Sequence, residues 1–140
     1  MGGINLGKVV IGGLVAGLIM NIGEFILNEL LLGERWSAAA AAISINPPEG
    51  PVIVFFTILT FILGIAIVGL YAGFRPRCGP GPKTAICAGV TAWFFNSLMG
   101  FGLPTGIMGI FPTDLILISM VWTFVEYSVA ALAGAYLYSE

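Results

Sequence analysis

Apolar residues along this chain fall into four runs, separated by short stretches that hold most of its charges, prolines and paired glycines. The runs extend from about Leu6 to Leu32, from Pro51 to Gly73, from Thr84 to about Leu103, and from Asp114 to about Leu137. A helix crossing a hydrocarbon layer about 30 Å thick needs roughly 20 residues, because each residue adds about 1.5 Å. The pattern therefore predicts an all-α membrane protein, a single domain over 1–140, with four transmembrane helices in a compact bundle. Pro51 suits the first turn of the second span, and Thr84 and Thr113 or Asp114 suit the caps of the third and fourth. The small residues Ser37 to Ala42 would suit a signal peptidase. A signal core of roughly 7 to 15 apolar residues is shorter than the first run, however, and would not normally carry an acid such as Glu24, so the run is expected to stay as a span.

Within the runs, the polar and small residues are not scattered. At about 100° per residue, Gly13, Gly17, Asn21, Glu24 and Asn28 share one face of the first helix. Ala85, Gly89, Ala92, Asn96 and Gly100 do so on the third, and Ser119, Thr123, Glu126, Ala130 and Ala133 on the fourth. The second span offers only Ala66, Gly69 and Gly73. Small residues let helix backbones approach closely in lipid, where no hydrophobic force drives one helix onto another. Gly13, Gly17, Gly69, Gly73, Gly89, Ala130 and Gly134 are thus expected to be packing positions. Glu126 falls at the centre of its span, with Asn96 about 4 Å and Glu24 about 7 Å towards the outside at about 1.5 Å per residue. Asn21, Glu24, Asn28, Asn96 and Glu126 are expected to form one intramembrane polar cluster, while Glu29 points away and reaches for the interface.

Composition sharpens the picture. Of 140 residues, 59% are hydrophobic and 9% charged, against about a quarter charged in soluble domains. With no histidine and only Cys78 and Cys87, the chain lacks the ligands of an ordinary zinc or haem site and any His-based general base, so no metal, cofactor or catalytic residue is expected. A net charge of −2 without a basic cluster makes nucleic acid an unsuitable partner.

The basic residues also give an orientation. Lys8, Arg75, Arg77 and Lys83 fall on one side of the four spans and Arg35 on the other, which predicts both termini inside. Cys78 and Cys87 then lie on the reducing side, where no disulfide is expected. The outer segment 33–50, with Trp36 and five successive alanines before a proline-rich end, reads as a short interfacial helix. Pro104 to Thr113 reads as a tight hairpin. The inner loop 74–83 is basic and rigid, and its Arg75, Arg77 and Lys83 are expected to meet lipid headgroups or a partner. Aligning Gly13 with Gly89 also matches Ala16 with Ala92 and sets Asn21 opposite Ser97, a hint of two parallel hairpins.

A membrane carboxylate is costly unless paired or neutralised, and no lysine or arginine lies at the depth of Glu24 and Glu126. The two are expected to be protonated, to share a proton, or to be bound by amides and hydroxyls. That permits a structural hydrogen bond, a proton or cation site, or contact with a partner. A quinone or pigment beside Trp93, Phe94, Phe95 and Trp122 is the remoter alternative.

The runs Met20-Asn21-Ile22-Gly23-Glu24-Phe25, Arg75 to Ala85 and Ala92-Trp93-Phe94-Phe95 resemble those of small four-span bacterial membrane proteins of unassigned function. The resemblance extends over the whole chain and implies a multi-pass protein of the bacterial inner membrane, without an activity or ligand. In size the chain is also similar to small multidrug transporters, which carry a membrane glutamate in their first span. The expected role is a non-enzymatic structural or accessory subunit of a membrane assembly or homo-oligomer, in contact with lipids and with itself or other membrane subunits. The alternative is a proton- or cation-coupled carrier using Glu24 and Glu126.

Overall fold

The computed structural model describes residues 3–46 and 48–140, so Met1, Gly2 and, in the segment 33–50, Pro47 lie outside the described residues. Helix α1 (Leu6–Phe25) runs into a π-helical stretch, Ile26–Leu31, and is followed by α2 (Gly33–Ala42), α3 (Pro51–Cys78) and α4 (Pro82–Trp93). A second π stretch, Phe94–Gly102, joins α4 to α5 (Leu103–Ile107), and α6 (Thr113–Leu137) closes the chain. The described residues contain no strand. Four helices, Leu6–Leu31, Pro51–Cys78, Pro82–Ile107 and Thr113–Leu137, are long and apolar enough to cross a membrane.

Helix α1 packs on α3 and α6, and α4 on α6 and α3. The contacts are made by residues that lack or nearly lack a side chain. A Cβ at Gly12 would stand 2.5 Å from the Gly134 carbonyl oxygen, and one at Gly89 would stand 2.6 Å from that of Tyr127. Gly13 abuts the Ile65 backbone, and Gly17 and Gly64 meet across the same crossing. Around these crossings lies an apolar core that includes Ala16, Met20, Ile67, Val68, Ala88, Ala130 and Ala131. Gly13 thus meets α3, and Gly89 meets α6.

Four expectations are corrected. First, α3 turns Gly64, Ile67, Val68, Tyr71 and Ala72 inward. Ala66 is exposed, Gly69 lies at the edge of the contact, and Gly73 has nothing within 4 Å of where a Cβ would stand. The reason is bulk: Val68 and Ile67 fill the core between Gly12, Gly134 and Ala16, and the small residues take the opposite face.

Second, the connection between the second and third spans is far shorter than 74–83. Helix α3 continues through Pro76 to Cys78, because a proline in the last turn forfeits one hydrogen bond that packing can offset. The turn is Gly79 to Gly81, with both glycines at positive φ (79° and 135°). Thr84 does not cap α4; its hydroxyl donates to the Gly79 carbonyl at 2.7 Å and ties the turn down.

Third, Arg75 does not reach outward. Its guanidinium lies 5.2 Å from the Tyr138 ring centroid and 5.9 Å from that of Tyr71, and pairs with Glu140 at 3.3 Å. Arg77 and Lys83 are exposed.

Fourth, the segment after Leu103 is helical to Ile107 rather than a hairpin from Pro104. It ends at Gly109 (φ 64°), where the Ile110 amide reaches back to the Thr105 carbonyl at 3.0 Å. Asp114 is likewise not a cap but the partner of Arg35, an ion pair that fastens α2 to the start of α6. Beneath it, Trp36 packs edge-on against Phe111 at 5.3 Å, beside Phe101.

Candidate functional site

Two helices bring the acidic residues together. Glu24 lies near the end of α1 and Glu126 near the middle of α6, and α1 approaches α6 closely because its residue 23 is a glycine. A Cβ there would lie 2.5 Å from Glu126 Oε2 and 2.9 Å from its carboxyl carbon. The Glu126 side chain thus occupies the space an ordinary residue at position 23 would take. The Glu24 carboxyl lies within hydrogen-bonding reach of it.

Each carboxyl is held by a neighbour one turn away on its own helix, the spacing at which side chains on a helix meet. Asn28 Nδ2 donates to Glu24 Oε2 at 2.7 Å, and Trp122 Nε1 donates to Glu126 Oε2 at 2.9 Å. Glu126 is only 7% exposed, and its Oε1 is buried without a donor. None of the five basic residues pairs with either acid; the ion pairs of the described residues are Arg35 with Asp114 and Arg75 with Glu140, at the two ends of the helices. Two carboxylates in contact without a cation repel each other.

Asn96 and Asn21 do not join this pair. Asn96 is exposed on α4's π stretch and donates to the Tyr127 hydroxyl at 2.8 Å, one residue along α6 from Glu126. The physical cause is the change of helix type. Bonds from i to i+5 space the buried positions five apart, so Ala92, Ser97 and Gly102 face inward where α-helical phasing puts Ala92, Asn96 and Gly100. Ser97 is buried and lies beside Tyr127. Asn21 turns towards α3, donating to the Gly17 carbonyl at 3.0 Å and to that of Thr57 at 3.4 Å.

The cluster is therefore Glu24, Asn28, Glu126 and Trp122, with a separate relay of Asn96, Ser97 and Tyr127 next to it. Trp122, Tyr127, Ser97 and Gly23 are absent from the sequence-based set. The signal for Trp122 was its place one turn before Glu126. Nothing in the sequence marked the π register that selects Ser97.

Beside the carboxyls, α1 and α6 frame an apolar groove of about 640 Å³ lined by Ile19, Gly23, Leu117, Ile118, Val121, Trp122, Val125, Glu126 and Val129. Its outer rim is exposed, with Val121 at 68% and Val125 at 56%. On α4, Trp93 Nε1 donates to the Met120 carbonyl and the Thr123 hydroxyl, each at 3.1 Å, so this indole is a tie to α6. Phe94 and Phe95 next to it are exposed. Cys78 and Cys87 are free thiols, and no group of three potential metal-binding side chains occurs among the described residues. In comparisons with known proteins, no family model, curated protein or solved structure matched the chain.

Proposed function

We propose that this chain is a non-enzymatic integral membrane protein, a small structural or accessory subunit of a homo-oligomer or larger membrane assembly, set as a compact four-helix bundle with both termini inside. Lys8, Arg75, Arg77 and Lys83 stand together at the end where Asn5 meets Tyr138 and Tyr71 meets Gly81, and Arg35 at the other, which supports that orientation. A bacterial inner membrane is the compartment we propose, on the sequence resemblance.

The observation that carries the subunit reading is the outward stripe on α3. Ala66 and Gly73, with Gly69 at their edge, form a face of small residues that its own chain does not cover. Such a face admits the backbone of another membrane helix, and a lone lipid-facing helix gains nothing from it. Farther along α3, Val52 to Phe56 are all exposed, so this half of the helix is free to meet another protein or lipid. The glycine crossings inside the chain favour the same role, because helices in backbone contact leave no file of water between them. The carboxyl pair then serves as an internal clamp between α1 and α6.

The test is purification in mild detergent with light scattering and mass spectrometry of whatever co-migrates, alongside flux measurements in liposomes. The expected result is an oligomer or a stable heteromeric complex, dissociated by Gly73→Leu without loss of helix content, and no ion or proton flux. A monomer without partners would overturn the reading. Flux abolished by Glu24→Gln or Glu126→Gln would establish the carrier instead.

A further inference from the structure

We propose that the groove between α1 and α6 binds an apolar molecule bearing a single cationic amine, with the hydrocarbon body along the groove and the ammonium group at the Glu24/Glu126 pair. This goes beyond the subunit role, which needs no ligand.

Three features specify that chemistry. The first is size: about 640 Å³ lies within the range of roughly 300 to 1,000 Å³ typical of small-molecule sites. The second is lining. The walls are hydrocarbon, from Ile19 on α1 and from Leu117, Ile118 and Val121 on α6, and the rim at Val121 and Val125 faces outward. A ligand that enters from the acyl-chain region must be largely apolar.

The third is charge. At the floor stands Glu126, more than nine-tenths buried, with Oε1 lacking a donor and with Glu24 beside it. A carboxyl pair sharing one proton keeps one negative charge, and the chain sends no lysine or arginine to it. A cation from outside supplies the missing partner, in a setting where opposite charges attract far more strongly than in water. Trp122 contributes twice. Its Nε1 fixes Glu126 Oε2, and its ring lines the groove, where an aromatic face attracts an ammonium group. A neutral ligand of the same shape forgoes both attractions, and an anionic one is repelled.

The experiment uses the full chain in phosphatidylcholine nanodiscs with dodecylamine as the probe and dodecanol as its neutral counterpart. N,N′-dicyclohexylcarbodiimide, an apolar reagent for protonated carboxyls, reports access to Glu24 and Glu126 by mass spectrometry, and labelled dodecylamine reports binding directly. Expected are modification of at least one of the two acids, protection by dodecylamine and not by dodecanol, and binding weakened about tenfold or more in Glu126→Gln, as for a buried charge pair that loses one member. Val125→Trp, a substitution on the exposed rim that leaves both acids intact, should block binding in the same way and decides the matter should Glu126→Gln fail to fold. Equal protection by dodecanol would show a purely hydrocarbon groove and overturn the proposal. So would dodecylamine binding that is undiminished in Val125→Trp, or absent in the unmodified chain.

Discussion

Gly12→Ala and Gly73→Ala add the same methyl group to two helices and should act in opposite directions. At Gly12 the new carbon would sit 2.5 Å from the Gly134 carbonyl oxygen, with that residue's carbonyl carbon and a Val68 methyl each at 3.3 Å. The oxygen belongs to the α6 backbone and cannot rotate away. A relaxed carbon–oxygen contact is about 3.3 Å or more, so α1 and α6 must separate by close to 1 Å. A gap of that order forfeits a quarter to a half of each dispersion contact nearby, and overpacked sites typically lose about 1 to 3 kcal/mol. Alanine returns up to about 1 kcal/mol through its better helix propensity. The net expectation is a loss of about 1 to 2 kcal/mol. At Gly73 nothing of its own chain lies within 4 Å, so within the chain only the propensity gain operates and the stability of the single chain should hold or rise by up to about 1 kcal/mol. Unfolding in mixed micelles by titration with a denaturing detergent, followed by circular dichroism, measures both. Equal shifts of the same sign in the two variants would refute the backbone crossing at Gly12.

Three further outcomes are expected. Trp122→Phe should cost about 0.5 to 1.5 kcal/mol, the net worth of a typical hydrogen bond, and Glu126→Leu should cost more than Glu126→Gln, because only the amide can still accept from Trp122; equal costs for Leu and Gln in the same micelle assay would deny the bond. Arg35→Ala should leave overall stability nearly unchanged, since its pairing with Asp114 is exposed and open to screening, but should loosen α2, read as faster hydrogen exchange over residues 33–42; unchanged exchange would count against the tie. Cys78, exposed at the end of α3, should resist an impermeant thiol reagent in intact cells and react after permeabilisation, and ready labelling from outside would reverse the orientation.

The spans were legible because their signal is additive: twenty or so apolar residues outvote any single exception, and α1, α3, α4 to α5 and α6 all occupy the expected runs. Gly13, Gly17, Gly89, Ala130 and Gly134 were legible as contact positions for a related reason, since small residues recurring on one face are hard to place elsewhere. Gly73 misled because the same pattern serves contacts inside and outside the chain, and spacing does not say which. Glu24, Asn28 and Glu126 came together as their helical faces predicted, whereas Asn96 was displaced by a π stretch that no local residue announces. Gly23 was overlooked because its importance lies in a residue 103 positions away, Glu126, whose carboxyl fills the room it leaves. Breaks were least legible: Pro76 and Pro104 look like helix ends, yet both sit within helical turns.

The π stretch at Phe94–Gly102 makes residue count, and not only residue identity, a determinant of this fold. Its wider turns absorb surplus chain, and they bring Gly102 against the Met120 sulfur, where a Cβ would stand at 2.6 Å. Point substitutions on its outward face, such as Phe95, leave that phase intact. Removing one residue from the stretch while the rest keeps its wider turns would swing all that follows by roughly a quarter turn. Gly102 would leave Met120, and the turn into α6 would start from the wrong side of the bundle. A length change that a surface loop accepts without penalty is, at this point in the span, a rotation of the whole last helix.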